Sequence, residues 1–155
     1  MTLETMQVRG VKQHYGPRDI NERYGGILPG NGSFRELSFV FDYDDLPSPG
    51  ESELEAQIPA YAVVLSATLE VIEGFEDGTS YDVGIYKPDG TAVDTDGLIE
   101  SVAQAAIADK GDYVEGSGDT VGSSVGDEAV EVGVDATGDF TSGKARLVVR
   151  YVPAR

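Results

Sequence analysis

Apolar residues in this chain recur at every second position. Val63, Leu65, Ala67, Leu69 and Val71 alternate with Ser66, Thr68 and Glu70. Successive side chains of a strand point to opposite faces, so the five apolar residues are expected on a buried face and the polar ones on a wet face. Tyr81, Val83 and Ile85 resume the alternation after the loop Gly74-Phe75-Glu76-Asp77-Gly78-Thr79. The spacing predicts a long central strand and its hairpin partner over residues 61–86.

The same period marks other strands. Over 34–44, Leu37, Phe39, Phe41 and Tyr43 share a face. A weaker strand is expected over 52–58, with Leu54, Ala56 and Ile58 inward, after a turn whose Pro47 and Pro49 cannot sit in a sheet interior. A short strand at 91–93 and a turn at Asp94-Thr95-Asp96-Gly97 come next. In 98–108, Leu98, Val102 and Ala105 or Ala106 fall at helical spacing, with Asp96 or Gly97 as cap. That predicts one short helix crossing an end of the sheets. Residues 109–128 are expected as a ragged strand at 113–115 and a mobile loop. A strand at 129–136 places Val130, Val132 and Val134 inward, and a hairpin loop at 137–143 follows. The closing strand, 144–152, has Ala145, Leu147, Val149 and Tyr151 on one face and Arg146, Val148, Arg150 and Val152 on the other.

Seven or eight such strands separated by turns describe an all-β protein. The expected fold is a two-sheet antiparallel β-sandwich, jelly-roll-like, with one short helix and an extended N-terminal arm. An immunoglobulin-like sandwich is the alternative, without that fold's Cys and Trp marks, since the chain has neither residue. At 155 residues one core suffices.

Charge changes the picture of the N-terminus. The net charge is −17, unevenly spread. Residues 1–35 hold five bases and three acids; the remaining 120 hold six bases and 25 acids. An acidic body of this kind repels nucleic acid, and no nucleic-acid partner is expected. No apolar run approaches the ~20 residues of a membrane helix, and the opening MTLETMQVRG has no apolar signal core. No membrane partner is expected. Glycines and prolines interrupt every potential element before Phe34, yet Tyr and Arg recur there. Such residues dominate binding hot spots. We therefore divide the chain into an arm, 1–33, and a β-sandwich, 34–155. Arg9, Lys12, His14, Tyr15, Arg18, Arg23 and Tyr24 are the candidate partner-binding residues.

Catalytic and metal chemistry find little support. His14 is the only histidine, and no serine can be placed beside it as a nucleophile. Asp94-Thr95-Asp96-Gly97 resembles the opening of a calcium loop, but the twelfth position is Ala105, which cannot ligate. Asp89, Asp94 and Asp96 could still converge on a weak calcium. Asp42, Asp44 and Asp45 near Glu51 and Glu53 would give a hydrolase its paired carboxylates only across a cleft. Without cysteine there is no thiolate site. No enzyme activity and no cofactor are expected.

One resemblance adds to these readings. The head contains HYGPRD (14–19) and YGG (24–26). The body contains IPAYAVVLSATLEV (58–71), GTSYDVGIYKPDGTAVDTDGLI (78–99) and TSGKARLVVRYV (141–152). This texture resembles the small virion structural proteins of tailed bacteriophages, of the capsid decoration (cement) or head-associated kind. The resemblance implies an inert β protein on the capsid exterior, bound to the major capsid protein and self-associated as a homotrimer. A carbohydrate-binding or host-adhesion module is the alternative, with Tyr61, Tyr81, Tyr86 and Tyr113 as sugar platforms.

Overall fold

Three long stretches of chain run antiparallel, and each bends once, so that each serves two sheets. The computed structural model describes residues 34–49 and 57–154. The strands are β1 (Arg35–Asp42), β2 (Val63–Asp77), β3 (Ser80–Tyr86), β4 (Ala92–Ala103), β5 (Tyr113–Glu115), β6 (Glu131–Thr137) and β7 (Phe140–Val152). Their order is β1-β7-β2-β5 in one sheet and β4-β3-β6 in the other, and every pairing between these strands is antiparallel. First and last strands are neighbours, and four of the six connections, β2 to β3 and those from β4 through β7, pass from one sheet to the other. That interleaving is jelly-roll order. Beside β6, Ile58 exchanges two backbone hydrogen bonds with Val130, at 2.8 and 2.9 Å. The strand expected over 52–58 lies mostly outside the described residues.

The central pair is not a hairpin. β2 pairs with β7 and β5, while β3 pairs with β6 and β4. Nor do 137–143 form a hairpin loop, because β6 and β7 lie in different sheets. Both chains cross between sheets side by side, in step. Asp77 stands opposite Phe140, Ser80 opposite Thr137, and the register runs on to Tyr86 opposite Glu131. Asp77 and Gly78 (both φ 62°) and Gly138 (φ 86°) make the corner. Gly78 N–H donates to Asp139 and Thr79 N–H to Thr137, so the ladder bends without losing its hydrogen bonds.

The third stretch bends at the same level. The strand expected at 91–93 and the turn at 94–97 are one continuous strand, β4, which extends to Ala103. The helix expected over 98–108 is reduced to a 3-10 turn, Gln104–Ile107. Leu98, Ile99 and Val102 are buried against β3 instead. β4 is bulged twice. Glu100 and Ser101, between Ile99 and Val102, face only Asp82 of β3, which leaves the buried Leu98 and Val102 at helical spacing. Four residues lie between Asp94 and Ile99, while only Gly84 lies between their partners Ile85 and Val83. Gly84 permits this, since a Cβ there would collide with the backbone of Asp94 and Thr95. At the corner, Gln104 ties in by donating its N–H to Thr79 and its side-chain amide to the Phe75 carbonyl.

A bulge also corrects the face assigned to β2. Val64 is fully buried, while Leu65 is 47% exposed. The register slips by one between Val64 and Ser66, and such an extra residue reverses the alternation. Beyond it Ala67, Leu69 and Val71 are buried as expected. Complete burial of Leu69 alone stabilises by about 2 kcal/mol.

Residues 116–126, expected as a mobile loop, are tied along two strands. Gly116 donates to Ala67, Gly122 to Val64 and Val125 to Ala62, while Gly118 and Thr120 reach Leu98 and Gly97 of β4. This segment thereby closes the open side of the sandwich between β2 and β4. Inside, Phe41, Phe75 and Phe140 of one sheet surround Tyr81 of the other.

Candidate partner-binding face

The seven arm residues singled out by sequence, Arg9 to Tyr24, lie outside the described residues, as do Glu51 and Glu53. Among the described residues, no three histidines or carboxylates gather as a metal site. Asp89 instead accepts the Thr91 N–H across its turn. Asp94 accepts the Thr120 hydroxyl at 3.3 Å; desolvation, then the Asp96 side chain, raises its carboxyl above the usual range. Asp42 pairs with Lys144. The sugar platform is also incomplete: Tyr81 and Tyr86 are buried, leaving Tyr61 and Tyr113 exposed, at 61% and 59%.

Geometry does assemble the outer face of the β1-β7-β2-β5 sheet. Alternation along β7 turns Lys144, Arg146, Val148 and Arg150 outward, because Ala145, Leu147 and Val149 are buried. The register places β1 on one side of this row and β2 on the other. Arg150 stands between Glu36 and Ser66, Val148 between Ser38 and Thr68, and Arg146 between Val40 and Glu70. The bases are held by cross-strand acids: Arg150 donates its Nε–H to Glu36 at 2.9 Å, and Arg146 an Nη1–H to Glu70 at 2.8 Å. Lys144 lies 3.6 Å from Asp42. All three pairs are about half exposed, so they orient side chains more than they stabilise the fold.

Aromatic and aliphatic groups complete the face. The Phe34 ring lies beside the Arg150 guanidinium, 6.0 Å from centroid to carbon. Leu65 is turned out by its bulge, and Val40 lies beside Arg146. Sequence reading found the outward Arg146 and Arg150. It missed Leu65, whose alternation pointed inward, and Phe34, which carried no signal beyond its place at the strand start.

The other sheet is chemically different. β3, β4 and β6 contain Asp82, Asp94, Asp96, Glu100, Glu131 and Asp135 and no base. Asp135 accepts the Tyr86 hydroxyl at 2.6 Å; burial first, then this bond, pushes the phenol well above its ordinary range.

Fold and charge layout thus define a jelly-roll sandwich domain with two unlike faces. No family model and no curated protein matches the chain. Among solved structures it is similar to a chain titled "Capsid of Ralstonia phage GP4", at 18% identity and a TM-score of 0.51. The match covers 83% of this chain and 90% of that one. At such identity the likeness is one of fold.

Proposed function

We propose that this protein is a non-enzymatic structural component of a tailed-phage virion. It decorates the capsid exterior by binding the major capsid protein lattice, anchored by residues 1–33. The observation that carries this reading is the fold shared with a phage capsid chain over nine-tenths of that chain. The charge layout supports it. A body with 25 acids among its last 120 residues stays dispersed in solution, while the more basic leader supplies adhesive groups. A lattice-binding role needs no reacting centre.

The test is cosedimentation with capsids of the source phage that lack this protein. The full chain binds, and a chain without residues 1–30 stays folded but does not bind. Full-strength binding by the truncated chain removes the arm from the proposal. The oligomer in this reading is a homotrimer, since closed cyclic assembly covers exposed sheet edges. Light scattering at micromolar concentration is expected to give three times the 16.4 kDa chain mass; a monomeric mass counts against a trimer in free solution.

A further inference from the structure

We infer that the outer face of the β1-β7-β2-β5 sheet is the body's docking surface for a neighbouring protein that presents carboxylates and an apolar recess. This rests on the proposed virion role and names the face used in it.

Four observations converge on that face. The first is charge. Every base carried by a described strand lies in this sheet: Arg35 on β1, and Lys144, Arg146 and Arg150 on β7. The opposite sheet has six acids and no base in its strands. This sheet's strands hold seven acids as well, but its outer face has the row Lys144, Arg146 and Arg150, cationic side chains that a partner's carboxylate can meet.

The second is spare donor capacity. A guanidinium has five N–H donors in a planar fork. Among the described residues, Arg146 gives one hydrogen bond to Glu70 and Arg150 one to Glu36. Each arginine is thus oriented by its own chain with donors left over for a second carboxylate. Orientation before contact reduces the ordering cost of binding.

The third is exposed apolar surface. Six large apolar or aromatic side chains are exposed among the described residues, and four belong to this sheet or its entry: Phe34, Val40, Leu65 and Tyr113. Val40 and Tyr113 flank the Arg146–Glu70 pair in one cross-strand row. Aromatic groups, arginine and aliphatics around satisfied polar pairs are the composition of a protein interface. The last is continuity. Phe34, on Arg150, is where residues 1–33 join the sheet. A partner that holds the leader is therefore tethered at this end of the face.

The experiment uses the full chain and capsids lacking it. Leu65→Asp combined with Arg150→Ala is expected to lower capsid affinity on the order of tenfold or more. Glu100→Lys, on the acidic sheet, should leave it unchanged. Both altered side chains of the double variant are exposed, and circular dichroism with a retained melting temperature verifies its fold. If the wild type binds and the double variant binds equally well, the face is overturned while the virion reading stands. Loss of binding in Glu100→Lys with none in the double variant also overturns it, by placing the contact on the other sheet. If the wild type does not bind capsids, both fall together.

Discussion

Tyr81 of β3 stacks on Phe140 of β7, with ring centroids 4.3 Å apart and planes 13° from parallel, although the two strands lie in different sheets. Phe75 meets both rings edge-on, at 5.2 and 5.9 Å. The stack sits beside the shared corner and fastens one sheet to the other. Phe140→Ala removes it and leaves a cavity. The expected loss is about 3–5 kcal/mol in denaturant unfolding. A loss below ~1 kcal/mol would mean that the corner backbone, not the stack, holds the sheets together.

The hydroxyl of Tyr81 is buried and has no partner among the described residues. Removing an unsatisfied polar group by Tyr81→Phe is expected to be neutral or stabilising. Burial also pushes the Tyr81 phenol up to about 12 from 10.0. A pKa raised by folding gives stability that is complete below pH 10 and is lost as pH rises toward 12. The wild type should therefore weaken across that window, and Tyr81→Phe should weaken less. Equal alkaline melting curves for the two proteins would refute this.

Gly84 lies under the β4 bulge, where an added Cβ collides with backbone that has no side-chain freedom to yield. Gly84→Ala is expected to destabilise by about 2–3 kcal/mol. Gly111, at φ +95° with open space around it, tests strain alone; Gly111→Ala should cost nearer ~1 kcal/mol. Thermal melts of the two variants decide whether close approach or torsion matters more.

The 116–126 segment looks like a solvent loop by composition but donates backbone hydrogen bonds to β2 and β4. Hydrogen exchange at Gly116, Thr120, Gly122 and Val125 should be slowed nearly as much as at β2 amides. Rapid exchange at all four would show that the side of the sandwich stays open in solution.

Glu70 and Arg146 form a half-exposed pair. Glu70→Gln is expected to change unfolding free energy by less than ~1 kcal/mol, with even this difference shrinking in high salt. A larger effect would give the pair a stabilising role beyond orienting the arginine.

Much of the architecture was legible because strand alternation is a local property. Leu37 and Phe41 on β1, Tyr81, Val83 and Ile85 on β3, and Ala145, Leu147, Val149 and Tyr151 on β7 are buried as their period required. Misreadings fell where the chain departs from regular geometry. Leu65 was assigned inward because alternation cannot register an inserted residue. The 98–108 stretch reads as helix because the bulge between Ile99 and Val102 leaves Leu98 and Val102 at helical spacing. Gly78 and Gly138 signalled turns but not their direction: the same residues can close a hairpin or carry a ribbon across a corner.

From the sequence alone came the strands, the inward faces of the regular ones, the two-sheet class, and the contrast between a basic leader and an acidic body. Each depends on residue type and on neighbours within a few positions. Only the tertiary structure decided which strands pair and that two chains cross the corner in register. It also gathered the arginines of β7 with Phe34 and Leu65 on one face, while the strands of the other sheet contain acids and no base. These features depend on residues as far apart as Glu36 and Arg150 becoming neighbours, which local preference cannot specify; packing of the whole core does.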